Sequence, residues 1–96
     1  MTPEEAIGIL IRNKEKIFHF GVKSIALFGS VARDEASVDS DVDILVEFEP
    51  TPSFRSYALL NIYLEDILGK KVDLVDWDML RPEIRSNVEK DAIPVA

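Results

Sequence analysis

The sequence predicts an α/β protein, with strands and helices taking turns along the chain. Strand-length runs rich in apolar residues occur at Val22–Phe28, Asp41–Phe48 and Val72–Val75. Segments with helical spacing, cap signals or both precede, separate and follow them, at Pro3–Phe20, Phe54–Leu68 and Met79–Lys90. The 96 residues suit one small domain spanning 1–96, with no internal repeat, low-complexity tract or boundary.

Thr2-Pro3-Glu4-Glu5 opens the first helix: Thr2 caps, Pro3 suits the first helical position and Glu5 completes a capping box. Ile7, Leu10, Ile11, Ile17 and Phe18 recur at helical spacing, and Gly21 ends the helix. His19, the only histidine, reads as a helix-terminus residue with a favourable dipole contact. After the first strand, Ser30–Glu35 forms a short helix that begins at Gly29-Ser30. Glu49-Pro50-Thr51-Pro52-Ser53 is a loop, because two prolines end any strand. The second long helix closes at Gly69. Between Tyr57 and Leu64 only Asn61 is polar, so this helix is either buried on several sides or has a second face for another chain. Asp76-Trp77-Asp78 is a turn in which Asp78 caps the last helix, and residues 92–96 add a short edge strand.

Composition narrows the function. The net charge of −7 lacks the basic surplus that nucleic acid phosphates require, so direct binding of a polyanion is a poor default. A small triphosphate remains compatible, because a divalent cation held by carboxylates reverses the local sign. There is no cysteine, hence neither a disulfide framework nor a thiolate metal site, which fits a reducing, cytoplasmic setting. No signal peptide is expected from the acidic N-terminus, and no apolar run reaches the roughly 20 residues of a membrane span.

The chemistry concentrates in Gly29 to Asp43, GSVARDEASVDSDVD. Asp41 and Asp43, two apart on a strand, point to one face. Such a pair repels itself unless a cation binds, and oxygen-only ligands suit Mg²⁺ or Mn²⁺. Two ions about 4 Å apart hold both the attacking and the leaving oxygens of a phosphoryl displacement. Asp39-Ser40-Asp41-Val42-Asp43 also matches the opening of a calcium-binding EF-hand loop, but Ile44 and Pro50 stand where that loop needs glycine and glutamate. Gly29 permits close backbone approach, and the Ser30 hydroxyl with the free amides of a helix N-terminus holds a phosphate. Arg33 is either a phosphate contact or a partner for Asp34, Asp39 or Asp41. Asp73, inside an apolar strand where an uncompensated carboxylate is expensive, is the candidate third acid.

Gly29-Ser30, Arg33 and Ser40-Asp41-Val42-Asp43, followed by Val72-Asp73-Leu74, resemble the minimal nucleotidyltransferase family of the DNA polymerase β-like superfamily. The resemblance covers nearly the whole chain and implies a small mixed sheet with helices packed against it. It implies transfer of a nucleoside monophosphate from a triphosphate, most simply AMP from ATP, with Mg²⁺ as cofactor. Gly29, Ser30 and Arg33 would hold the nucleotide. Asp41 and Asp43 would ligate both metals, and Asp73 would ligate one and help activate the acceptor. Small members of the family are often encoded beside a helical HEPN protein, act as its antitoxin and in some cases modify its tyrosine with AMP, so a hetero- or homo-oligomer is expected. The alternative is a binding module that neutralises a helical partner by contact alone. One departure is visible: many members have glycine after the arginine, and this chain has Asp34.

Overall fold

The structure, a computed structural model, describes residues 1–95. In chain order the elements are α1 (Pro3–Arg12), α2 (Lys14–His19), β1 (Val22–Phe28), α3 (Gly29–Ala32), β2 (Val42–Phe48), α4 (Phe54–Leu68), β3 (Val72–Asp76), a 3₁₀ turn at Trp77–Met79, α5 (Pro82–Asp91) and β4 (Ile93–Pro94). The four strands form one sheet in the order β3-β2-β1-β4. β1 is antiparallel to β2 and to β4, whereas β2 and β3 are parallel, so the sheet is mixed, as the resemblance implied.

The alternation of a strand sends Ile25 and Leu27 of β1, Val42, Ile44, Val46 and Phe48 of β2, and Val72 and Leu74 of β3 to one buried face. That face packs with Ala6 and Leu10 of α1, Ile17 of α2, Val31 of α3, and Leu60, Leu64 and Leu68 of α4 in one core cluster. Fully burying each leucine of α4 stabilises the fold by about 1.5–3 kcal/mol. The register aligns Phe28, Asp43 and Asp73 across the three strands, and the same alternation puts both aspartates on the opposite face of the sheet. The Trp77 turn and α5 lie over part of that face, flanking a cavity of about 300 Å³.

The expected capping box is present: Glu5 N–H donates to Thr2 Oγ1 at 3.2 Å, and Thr2 N–H to Glu5 Oε1 at 3.4 Å. The first helix, expected to run unbroken to Phe20, is interrupted at Asn13. The Asn13 side chain donates to the Ile9 carbonyl at 2.8 Å and accepts from the Tyr63 hydroxyl at 3.0 Å. An asparagine bonding back to the residue four before it competes with the helical ladder. Asp78 is not the cap of the last helix. Its N–H instead donates to Asp76 Oδ1 at 3.0 Å, which closes the 3₁₀ turn, and the helix starts later, at Pro82. The edge strand is shorter than expected, and Ala96 lies outside the described residues.

The long helix α4 buries one stripe only, leaving Leu59 43% and Ile62 62% exposed. It is therefore not buried on several sides. Its polar groups tie it to the sheet edge: Glu65 Oε2 accepts from Val72 N–H at 2.9 Å, and the Tyr57 hydroxyl donates to the Leu74 carbonyl. Val72 and Leu74 are two apart, so α4 satisfies successive outward groups of β3 that would otherwise invite another strand. Among the described residues, no helix is long and apolar enough to cross a membrane.

The residue after Arg33 takes a conformation that favours glycine: Asp34 has φ 58°, with its N–H bonded to the Val31 carbonyl at 3.0 Å. Asp tolerates this region better than most residues. Asp34→Gly is therefore expected to stabilise the fold by about 0.5 kcal/mol, and Asp34→Val to destabilise it by more than about 1 kcal/mol. Urea denaturation of the two variants measures both.

Candidate active site

β1 delivers its chain into the site through Gly29, which is buried and has φ 73°. A Cβ built on Gly29 would lie 2.0 Å from Asp43 Oδ2 and 2.8 Å from its Cγ. The glycine is thus required by Asp43, whose carboxylate occupies the space a side chain would take. The expectation from the sequence was approach of a ligand; the structure shows approach of a catalytic-candidate side chain. Gly29 begins the single turn of α3 and Ser30 follows it; the first amides of the turn are capped by no side chain. The helix is shorter than the expected Ser30–Glu35, ending at Ala32.

Asp43 is the second residue of β2, half-buried, and is paired in register with Asp73 on β3. Burial raises the Asp43 carboxyl above the usual carboxylate range, and the nearby charges of Asp73 and Asp41 raise it further. Arg33 opposes the shift, and the Asp73 carboxyl stands close enough to share a proton. Asp41 is exposed and lies one position before β2, although the strand was expected to begin with it. The structure therefore brings Asp43 and Asp73 together with Asp41 alongside. Among the described residues, no three acidic or imidazole side chains already converge on one metal position. The pair and its neighbour still fit a divalent ion in donor chemistry: all three offer only oxygen, and their mutual repulsion is what a cation would relieve.

Two expectations about side chains need correction. Asp73 is exposed on the edge strand, so its place does not rest on the cost of burying a charge. Arg33 pairs with none of Asp34, Asp39 and Asp41. Its Nε donates to Glu35 Oε2 at 3.1 Å and its Nη1 to Asp91 Oδ2 at 2.7 Å, and these two carboxylates hold it firmly protonated. Asp91 could not have been found from the sequence, being 58 positions away. It ends α5 just before β4, so the C-terminal segment braces the turn that follows β1. Tyr57, read only as part of an apolar run, is a second neighbour: burial raises its phenol pKa, as do the charges of Asp73 and Asp76.

The loop between α3 and β2 is pinned at both ends of its course. Ser37 N–H donates to Ser40 Oγ at 2.9 Å, and Lys70 Nζ to the Val38 carbonyl at 2.9 Å. Val42 N–H then donates to the Lys71 carbonyl at 2.9 Å, joining β2 to β3 beside Asp41.

A carboxyl whose folded pKa is raised above its unfolded value favours folding only while protonated; that contribution is complete below the unfolded pKa and is lost as pH rises through the folded one. Asp43→Asn is accordingly expected to raise the Tm of the metal-free protein at pH 7, with the gain disappearing on acidification through the carboxylate range. Calorimetry of both proteins from pH 7 down to pH about 3.5 checks this. Gly29→Ala is expected to lower Tm at neutral pH, since it expels Asp43 and strains a positive φ by about 1–2 kcal/mol.

The chain matches the family described as nucleotidyltransferase domain over residues 10–95. It is 44% identical over 96 residues to the protein adenylyltransferase MntA of Thermococcus cleftensis, covering 99% of this chain and 97% of that one. It is similar, at 37% identity and TM-score 0.77, to a solved structure provisionally described as a minimal nucleotidyltransferase, covering 98% of this chain and 96% of that one. At 24% identity and TM-score 0.62, it shares its fold with a chain of the complex between a tri-AMPylated Shewanella oneidensis HEPN toxin and an MNT antitoxin, over 88% of this chain and 70% of that one. A family match over most of the chain, near full-length similarity to MntA and the mixed sheet with its aspartates on one face agree: the chain is a nucleotidyltransferase and belongs to the minimal nucleotidyltransferase family.

Proposed function

We propose that this chain moves an adenylyl group from ATP, with Mg²⁺ or Mn²⁺, onto a hydroxyl of a partner protein, and that residues 1–96 work as one transferase domain. The reading rests above all on Asp43, seated over Gly29 and beside Asp73. The name of the Thermococcus relative supports an adenylyl donor and a protein acceptor. The complex that shares the fold supports a HEPN-type partner, an antitoxin role and a hetero-oligomer, in keeping with a cytoplasmic protein.

Asp41, Asp43 and Asp73 would hold the divalent ions, which when bound offset the charge of the triphosphate and stabilise the attacking and leaving oxygens. Gly29 and Ser30 orient the triphosphate through the uncapped amides of α3 and the Ser30 hydroxyl. Arg33, already bonded to Glu35 and Asp91, adds positive charge at the edge of this turn and steadies its shape. Asp73, exposed on β3, takes the proton of the incoming hydroxyl. The acceptor oxygen then bonds to the α-phosphorus as the bond to the bridging oxygen breaks, and pyrophosphate leaves.

A second reading has an observation in its favour. Leu59 and Ile62 leave an apolar strip of α4 in solvent, which suits neutralisation of a partner by contact without transfer. The two readings separate on one variant. Asp73→Asn is expected to cut adenylyl transfer from α-labelled ATP by about 10²–10⁴-fold while leaving the fold and any partner complex intact. Retained transfer in that variant would sink the mechanism; retained protection without transfer would favour contact alone. Saturating Mg²⁺ with ATP is expected to raise the Tm of the native protein, by about 2.7 kcal/mol of added stability at a hundredfold excess over Kd, and not that of Asp43→Asn.

A further inference from the structure

We propose that α4 is the seam of a homodimer: two copies of this chain pack their α4 helices antiparallel about a twofold axis, with Arg55 of each copy paired to Asp66 of the other. The inference goes beyond the transferase reading and does not rest on it, since it uses no residue of the acidic site.

Beyond its first residue, α4 exposes Arg55, Leu59, Ile62 and Asp66. Spacings of four, three and four set these in one line along the helix, as in a helix-pairing seam. The line faces away from Leu60, Leu64 and Leu68, which enter the core. Its middle is apolar, and its two ends carry opposite charges.

The order of the line decides what covers it. Leu59 and Ile62 lie equally far on either side of the midpoint between Leu60 and Asn61, and so do Arg55 and Asp66. Turning the helix end for end therefore lays Leu59 on Ile62 and Arg55 on Asp66 of the second copy. A twofold contact requires this self-complementarity, because it joins one patch to itself. A parallel pair would set each charge against its like.

The helix dipole supplies an independent argument. Arg55 is the second residue of α4 and Asp66 lies in its last turn, so each charge sits at the end of its own helix that disfavours it. No acid in the first turn and no base in the last offsets them. Antiparallel packing brings each charge beside the opposite end of the other helix, which favours it. Among the described residues, neither Arg55 nor Asp66 belongs to an ion pair. Lys70, one turn beyond Asp66, is committed to the Val38 carbonyl.

Size sets the strength. The 15 residues of α4 span about 22 Å, so one helix pair covers less than a standard interface of about 1,600 Å². The dimer is accordingly concentration-dependent, with a Kd of about 10–100 μM. α4 packs on the face of the sheet opposite Asp43 and Asp73, so both acidic sites stay open in the dimer. A different helical protein covers the same strip only by displacing the second copy.

Sedimentation equilibrium of the full chain tests the proposal at about 0.15 M salt, which screens charges more than about 8 Å from the seam. The native chain is expected to pass from monomer to dimer between about 5 and 500 μM. Arg55→Asp and Asp66→Arg are each expected to weaken the dimer at least about tenfold, because each sets like charges face to face. Mixed in equal amounts, the two variants are expected to pair to within about threefold of the native affinity, since both ion pairs then form again. Ile62→Ser is expected to weaken the dimer by at least about tenfold. All these residues are exposed, and each variant is expected to keep the native circular dichroism spectrum. A chain that stays monomeric throughout the range, or a dimer indifferent to Ile62→Ser, overturns the proposal. So does a dimer that ignores both charge reversals, or one that mixing fails to restore.

Discussion

The site depends on the contact between a carboxylate and a backbone. Asp43 lies against the Cα of Gly29 so closely that no side chain fits between them. That contact sets the direction in which β1 enters α3, because the glycine must take a positive φ to turn beneath the acid. It also half-buries the carboxylate, which raises its pKa and leaves it in need of positive charge. The turn at Gly29 and the acidic centre are thus one packing unit, and neither can be moved without the other.

Around this unit the chain spends its polar contacts on bracing. Glu35 and Asp91 hold Arg33 from two directions, and β4 pairs with β1 just beyond Asp91. Glu65 and Tyr57 fix α4 to the strand that carries Asp73. Lys70 holds the loop that leads to Asp41. A chain of this size has a small core and a narrow stability margin, so placing three acids near one another is a cost that the leucine stripe of α4 and the sheet must offset. Such an arrangement is expected where charge repulsion serves a bound cation rather than the fold.

The acidic surface has a second consequence. A net charge of −7 works against long-range attraction to the phosphates of nucleic acid. The exposed apolar groups include the Leu59–Ile62 strip of α4, and Phe54 and Met79 near the end of β3. On the proposed reading the strip of α4 serves complex formation.

Local pattern carried much of this protein. The capping box at Thr2, the apolar runs of β1, β2 and β3 and the stop at Gly69 are all short-range signals, and each stands in the structure; of the alternating aspartates Asp43 lies within β2 and Asp41 just before it. The mixed sheet and the transferase family came from the pattern formed by Gly29-Ser30, Asp41-Val42-Asp43 and Asp73 together, not from any element alone. What the sequence could not decide involves partners distant along the chain. The break at Asn13 is made with Tyr63, the clamp on Arg33 comes from Asp91, and the exposure of Asp73 follows from β3 taking the sheet edge. The reason for Gly29 belongs here too, since only the pairing of Phe28 with Asp43 brings the carboxylate over it. Helix caps and strand alternation are written within a few residues of where they act, whereas sheet order and the pairing of charges depend on which surfaces meet once the core has closed.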